Sequence, residues 1–196
     1  MAPIPRPARA LVGIALPITI LMAQADENCG TVEDPWLEAN VAARQSDLFT
    51  LECRLADLDI NDVDPTDIWE NTLLHFAAKY NQAPAVYFLA SKGADLEVKN
   101  AVDHTPLLVA AKEGATEAAK ILIQQGASVG SADIEGRTVL FWAIASEKPE
   151  LVALLLRHGA KPDRLIELNG NQTSPRNYAN NHNNPIMKEV ILIHEK

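Results

Sequence analysis

The sequence predicts an all-α solenoid, a stack of helix-turn-helix units, and three observations predict it. Thr72, Thr105 and Thr138 stand 33 residues apart, and Gly93, Gly126 and Gly159 repeat at the same interval, each followed by alanine (Ala94, Ala127, Ala160). Leu74, Leu107 and Leu140 keep step, as do Ala77, Ala110 and Ala143, so several independent columns agree on one period, the mark of a repeat architecture. The composition is 47% hydrophobic but only 5% aromatic. Aliphatic side chains and alanine must therefore do the packing, which suits stacked helices better than a β-sandwich.

Residues 1–25 read as a secretory signal rather than as part of the fold. Arg6 and Arg9 stand in an acid-free start, Leu11–Ala23 is a charge-free apolar run of 13 residues, and Ala23-Gln24-Ala25 supplies the small residues of a cleavage site before Asp26-Glu27. The run is shorter than the ~20 residues that span a bilayer, and Pro17 interrupts it. A lipoprotein does not fit, because Asp26-Glu27-Asn28 precede Cys29 where small and apolar residues are needed. The expected mature protein, residues 26–196, is soluble and exported, to the periplasm first and the exterior second. Cys29 and Cys53 then face an oxidising compartment, where an isolated pair is expected to be bridged. Closing that loop stabilises the N-terminal end by roughly 3 kcal/mol in the chain-entropy view. A redox-active pair is the alternative, but the spacing lacks the C-x-x-C form that tunes thiol pKa.

The first structured unit is expected over 36–66, a degenerate cap containing Val41–Asp47 and Leu55–Asn61, without the start signature or the closing glycine. Three full units follow over 67–99, 100–132 and 133–165. In each, the threonine is placed to cap the first helix, accepting a backbone N–H that has no intrahelical partner. Pro106 occupies the first turn of the second unit, where a missing N–H costs nothing. Paired alanines let neighbouring helices approach closely. The second helix carries apolar residues at helical spacing, such as Ala118, Ile121 and Leu122. Glycine ends it by entering the left-handed conformation. A last unit spans 168–196: Thr173-Ser174-Pro175 restores the helix start and Ile186–Ile193 supplies an apolar helix, after a connection about three residues longer than its counterparts. None of these hairpins buries its apolar face alone, so the units must stack.

The segments Asn71–Ala78, His104–Ala111 and Arg137–Ile144 resemble the T-P-L-H-x-A-A start of the ankyrin repeat, and Tyr87–Asp95, Ile121–Ser128 and Leu154–Lys161 resemble its L-L-L-x-x-G-A-D end. Leu73 replaces the proline in the first unit, the second lacks the histidine, and the third is the loosest. The likeness covers Trp36–Lys196. It implies turn fingers and a concave face of first helices that bind other proteins and almost never catalyse. Carried over by position, the finger residues are Ile68, Trp69 and Asn71, then Ala101, Val102 and His104, then Ile134, Glu135 and Arg137. The inner-helix residues are Lys79 and Tyr80, Lys112 and Glu113, and Ala145 and Ser146, with Arg44 and Gln45 from the first unit. Trp69 is either an interface anchor or folded back over Leu73 or the first unit. His75 takes the structural histidine position, bonding between neighbouring repeats. Phe141 and Trp142 are expected to pack within the repeat.

The chemistry of an enzyme is not legible. His104, His158, His182 and His194 have no metal-ligand spacing. Asp57, Asp59, Asn61, Asp62 and Asp64 lack the central glycine and closing glutamate of a calcium loop, and read as a charged turn. No phosphate-binding glycine loop or nucleophile elbow occurs. The net charge is −9, and residues 26–70 hold 13 acids against 2 bases while the remainder up to 196 is balanced. Such a surface repels nucleic acid and either solvates one end or steers a basic partner. The expectation is a non-enzymatic, cofactor-free and metal-free binding module, a monomer on its own, docking a protein partner. An immunity protein or inhibitor of a toxin or enzyme is one form; an accessory or scaffold factor for an exported enzyme, or a secreted effector acting on a host, are others.

Overall fold

A computed structural model describes residues 29–30, 32–168, 170–181 and 185–194; the expected signal, Asn169 and His182 lie outside them. Among the described residues ten helices alternate between two layers. The inner layer is α1 (Pro35–Gln45), α3 (Leu73–Lys79), α5 (Pro106–Glu113), α7 (Val139–Ala145) and α9 (Pro175–Asn181). The outer layer is α2 (Leu48–Arg54), α4 (Ala83–Ser91), α6 (Thr116–Gln124), α8 (Pro149–Arg157) and α10 (Pro185–Ile193). Each inner helix packs on the next inner helix, each outer helix on the next outer helix, and the two layers meet within each hairpin.

The periodic residues do what their chemistry requires. The Thr105 and Thr138 hydroxyls accept from the Leu108 and Phe141 N–H groups (3.3 and 3.2 Å), and Ser174 takes the same role for Asn177 (3.2 Å). Ala77, Ala110 and Ala143 are fully buried between inner helices, where a larger side chain would push the layers apart. Gly93, Gly126 and Gly159 leave the second helices at φ 94°, 102° and 88°, a conformation in which a Cβ is strained. One core of leucine, valine, isoleucine and alanine runs through all units, with Leu51, Leu74, Leu107, Leu140 and Leu155 essentially inaccessible.

The expectation of a purely helical chain needs one addition. Ile166–Leu168 (β1) and Asn171–Thr173 (β2) form a short antiparallel hairpin, pairing Ile166 with Thr173. The longer connection before the last unit closes on itself in this way, around Gly170 at φ 78°. At the other end, Cys29 and Cys53 form a disulfide, and Arg54 beside it donates to the Gly30 carbonyl (2.9 Å).

A second left-handed site recurs between the two helices of the first four units, at Ser46 (φ 60°), Asn81 (56°), Gly114 (68°) and Glu147 (55°). Asn81 compensates, because its side-chain oxygen accepts from Ala118 N–H of the next unit (3.0 Å). Glu147 is exposed and makes no ion pair among the described residues. Glu147→Gly is therefore expected to raise stability by about 0.5–1 kcal/mol, since a Cβ in this conformation costs about 1–2 kcal/mol and glycine returns part of that as chain entropy. Urea unfolding followed by circular dichroism measures it; a loss of stability would refute the strain.

Candidate functional site

The bases of the fingers share a device that fixes where their side chains point. Asp67, Asn100 and Asp133 each accept two backbone N–H bonds from their own turn. Asp67 takes Trp69 and Asn71 (3.3 and 3.0 Å), Asn100 takes Val102 and His104 (3.2 and 3.0 Å), and Asp133 takes Glu135 and Arg137 (3.0 and 2.9 Å). These are Asx turns, in which a short polar side chain stands in for a backbone acceptor. The column alternates between Asp and Asn, which hides it from a search for identical letters.

Successive fingers are then tied together. Ala101 N–H donates to the Trp69 carbonyl (2.9 Å), and the Asn100 amide donates to Asn71 Oδ1 (2.9 Å). His75 closes the frame from below. Its Nε2 lies 2.9 Å from the His104 carbonyl, which only accepts, so Nε2 carries the proton and Nδ1 accepts from the Thr72 N–H (3.2 Å) and hydroxyl (3.0 Å). Burial, opposed in part by that carbonyl, pushes the His75 pKa down to about 4. The imidazole is neutral and structural.

On this frame sits a concave groove of about 260 Å³ that runs across the three fingers and the inner helices α3 and α5. Trp69, Lys79, Lys112, Glu113, Ile134 and Glu135 present exposed side chains to it, with half-buried Val102 and Arg137. Trp69 is 51% and Ile134 72% exposed, so Trp69 is not folded away over the first unit. Tyr80, Ile68 and Ala101 are exposed but lie outside this groove. Two predicted contact residues need correction: Asn71 and His104 are buried and hydrogen-bonded, so they build the floor instead of offering side chains to a partner.

Phe141 and Trp142 pack on the core as expected, and Trp142 also takes part in a polar cluster. Its indole is half-buried, its Nε1–H donates to Asp133 Oδ2 (3.1 Å), and the Arg137 guanidinium (4.6 Å) and Lys112 amine (5.2 Å) lie over its ring. The Asp133 side chain is fully buried and accepts from Arg137 Nε (2.8 Å), while Arg137 Nη1 reaches Glu135 (2.7 Å). Burial works to raise the Asp133 carboxyl, but hydrogen bonds from the Arg137 side chain and backbone and from Trp142 outweigh it and hold it below the usual range. His104, 3.6 Å from the same carboxylate, is held low by burial and by Lys112. The signal that could have found this cluster is the 33-residue offset from Phe76 through Val109 to Trp142, the column that floors the concave face. Asp64 departs from the charged-turn reading. It is buried, accepting from Asn40 (2.6 Å) and from Thr66 N–H (2.8 Å), and its own N–H donates to the Asn71 carbonyl (3.0 Å), so it closes the turn that carries Asp67 and Trp69.

A larger depression of about 650 Å³ lies beside the disulfide, among Glu52, Asp57, Asp59 and Lys92. It is an open turn surface spanned by the Lys92–Glu52 ion pair (2.6 Å), without the exposed aromatic anchor of the groove. Among the described residues no cluster of three His, Cys, Asp or Glu side chains is placed to hold a metal, and no helix is long and apolar enough to cross a membrane.

The family model for ankyrin repeats (three copies) matches residues 40–133 and 74–166. The glycerophosphocholine phosphodiesterase gde1 of Schizosaccharomyces pombe is 31% identical over 152 residues, 76% of this chain and 13% of that protein. The palmitoyltransferase AKR1 of Kluyveromyces lactis is 34% identical over 138 residues, 67% of this chain and 18% of its own. A mouse B-cell lymphoma 3 protein homolog is 35% identical over 94 residues, 45% of this chain and 21% of that protein. The chain thus spans less than a quarter of each relative, and the two enzymes among them extend far beyond the matched part. Repeat spacing, two-layer stacking and these matches agree: the chain belongs to the ankyrin-repeat family.

Proposed function

We propose that this chain is an exported docking module that holds a protein partner in its concave groove, acting as an immunity protein or inhibitor that covers a toxin or enzyme. Ankyrin repeats generally mediate protein–protein interaction. The observation that carries the reading is the exposed Trp69, with Ile134 across the groove, standing on a floor locked by the Asx turns, Asn71, His75 and His104. A rigid base with amphipathic side chains at its rim is the form of an interface hot spot, because little entropy is lost when the partner arrives. Export is supported by the pattern of Arg6, Arg9, the Leu11–Ala23 run and Ala23-Gln24-Ala25. The Cys29–Cys53 bridge suits an oxidising compartment such as the periplasm.

The test is capture from a native extract by the tagged chain, expressed from its full sequence. A stoichiometric protein partner is expected, with Trp69→Ala lowering affinity by about tenfold or more, as truncation of a hot-spot tryptophan does, while the circular dichroism spectrum is unchanged. If the captured partner is an enzyme, its activity should fall on binding. A partner held equally well by Trp69→Ala would remove the groove from the proposal.

A further inference from the structure

A second depression, of about 310 Å³, lies where α1 meets the first finger and α3. It adjoins the groove: Asp67 and Phe76 line it, while Trp69 and Lys79 of the same finger and helix line the groove. Half-buried Trp36 and exposed Leu37 and Val41 give it apolar walls. Asn40 stands in its wall, 5% exposed, its amide donating to Asp64 (2.6 Å) and its Oδ1 left without a hydrogen-bond partner. The Asp64 carboxylate requires a donor from Asn40, so the free atom is an acceptor. Asp34 and Asp67 also line the pocket. They accept from backbone N–H groups and, at Asp67, from the Asn71 amide (2.6 Å), all of them neutral donors. Among the described residues neither has a cation within ion-pairing distance. Arg44, the cation of the lining, lies over the Phe76 and Tyr80 rings (4.7 and 5.2 Å) as the counter-charge to Asp64, its Nε without an acceptor. Three carboxylates against one guanidinium leave the pocket negative, within a segment, residues 26–70, of 13 acids and 2 bases. The other base, Arg54, is spent on Gly30, Glu38 and Asp57.

We propose that this pocket receives one lysine or arginine side chain of the protein partner, its stem along Trp36, Leu37 and Val41 and its charged head toward Asp34, Asp67 and Asn40. This rests on the docking reading and adds the chemistry of one anchor. Asn40 Oδ1, Asp34 and Asp67 all accept, so the group that meets them must donate, and ammonium and guanidinium carry donors only. A small hydrated cation would leave the apolar walls in water. A long basic side chain covers them with its methylene stem while its head stays among the carboxylates. Covering the pocket also excludes water, which strengthens the attraction between head and carboxylates. The acidic end therefore does more than steer a partner: it holds a seat for a cation beside the Trp69 groove, and one partner segment can fill both.

The probes are Nα-acetyl-lysine methylamide, its uncharged analogue Nα-acetyl-norleucine methylamide, and Nα-acetyl-glutamate methylamide, titrated at low salt into the isotope-labelled full chain and followed by NMR. The lysine probe is expected to give saturable shifts at the Trp36 indole and at the amides of α1 and residues 64–67. It should bind about fivefold or more tighter than either counterpart. Asp34→Asn combined with Asp67→Asn removes both charges and keeps the acceptors: Asn100 holds the same turn in the next finger, and asparagine caps a helix as aspartate does. The pair should weaken the lysine probe by about fivefold, as the loss of two partly exposed ion pairs does, with the circular dichroism spectrum unchanged. Asp34→Asn alone is the second variant should the pair disturb the finger, and it should weaken the probe about twofold. Glu150→Gln, exposed on outer helix α8, should leave binding unchanged. Absence of saturable shifts with lysine, equal binding of norleucine, preference for glutamate, or indifference to the double substitution overturns the assignment. A captured partner whose affinity ignores that double substitution overturns it too. A partner lost on Trp69→Ala in any of these cases leaves the docking reading standing.

Discussion

Leu107→Ala is expected to destabilise the protein by about 2–5 kcal/mol, the range for emptying a packed leucine site. Leu107 is 1% exposed on α5, the helix that packs against α3 on one side and α7 on the other. In a solenoid each unit contacts only its neighbours, so stability is close to a sum of unit and interface terms. A cavity in the central unit therefore weakens two interfaces, where the same change near an end weakens one. Equilibrium urea unfolding followed by circular dichroism measures the loss. The matching Trp69→Ala variant removes a half-exposed side chain and should stay within about 0.5 kcal/mol of wild type, as surface substitutions do. A Leu107→Ala loss below about 1 kcal/mol would mean that the alanine-rich layers collapse into the space and that packing is looser than the buried leucines imply.

The fold was legible because its determinants are local and repeated. Thr105, Thr138 and Gly126 act within one turn of their own helix, so identity at a fixed offset carries the information. Thr72 shows the limit: the same letter binds His75 through its N–H and hydroxyl, a use that depends on the neighbouring unit's carbonyl. The groove was legible in part. Position alone brought Trp69, Lys79, Lys112, Glu113, Ile134 and Glu135 to one surface. Position did not reveal that Asn71 and His104 turn inward, because the Asx turns that rotate them use Asp in two units and Asn in one. The packing of Trp142 was legible but its polar cluster was not, because that comes from three groups distant in sequence or outside its helix, Asp133, Arg137 and Lys112, which meet only after stacking. The hairpin at 166–173 was visible only as extra length, since three-residue strands leave almost no periodic signal.

Acid should loosen the molecule in two stages, and His75 sets the first. The folded imidazole stays neutral down to a pKa of about 4 because protonation would place a charge in a buried site and put a donor where Nδ1 now accepts from Thr72. The unfolded chain takes the same proton near the ordinary value of 6.5. Between those limits the unfolded state binds more protons, so stability falls as pH drops from about 6.5 to about 4 and is independent of this group above that window. At 1.36 kcal/mol per pKa unit the loss is about 3 kcal/mol. His104, held low by burial and Lys112, adds in the same direction. The second stage belongs to Asp64 and Asp133, whose pKa values lie below the ordinary 3.8. Burial opposes both shifts, but Thr66 and Asn40 overcome it at Asp64 and Arg137 with Trp142 at Asp133. Their stabilisation is present above the ordinary carboxylate value and is lost as pH falls through the lowered one. Urea midpoints measured from pH 7.5 to 3.5 should therefore bend downward first below about 6.5 and again below about 4. His75→Gln keeps a polar group at the site but cannot titrate. It should start less stable and lose most of the slope of the first stage while keeping the second. A variant whose midpoint falls as steeply as wild type between pH 6.5 and 4 would show that the neutral His75 bridge is not what couples the repeats to acid.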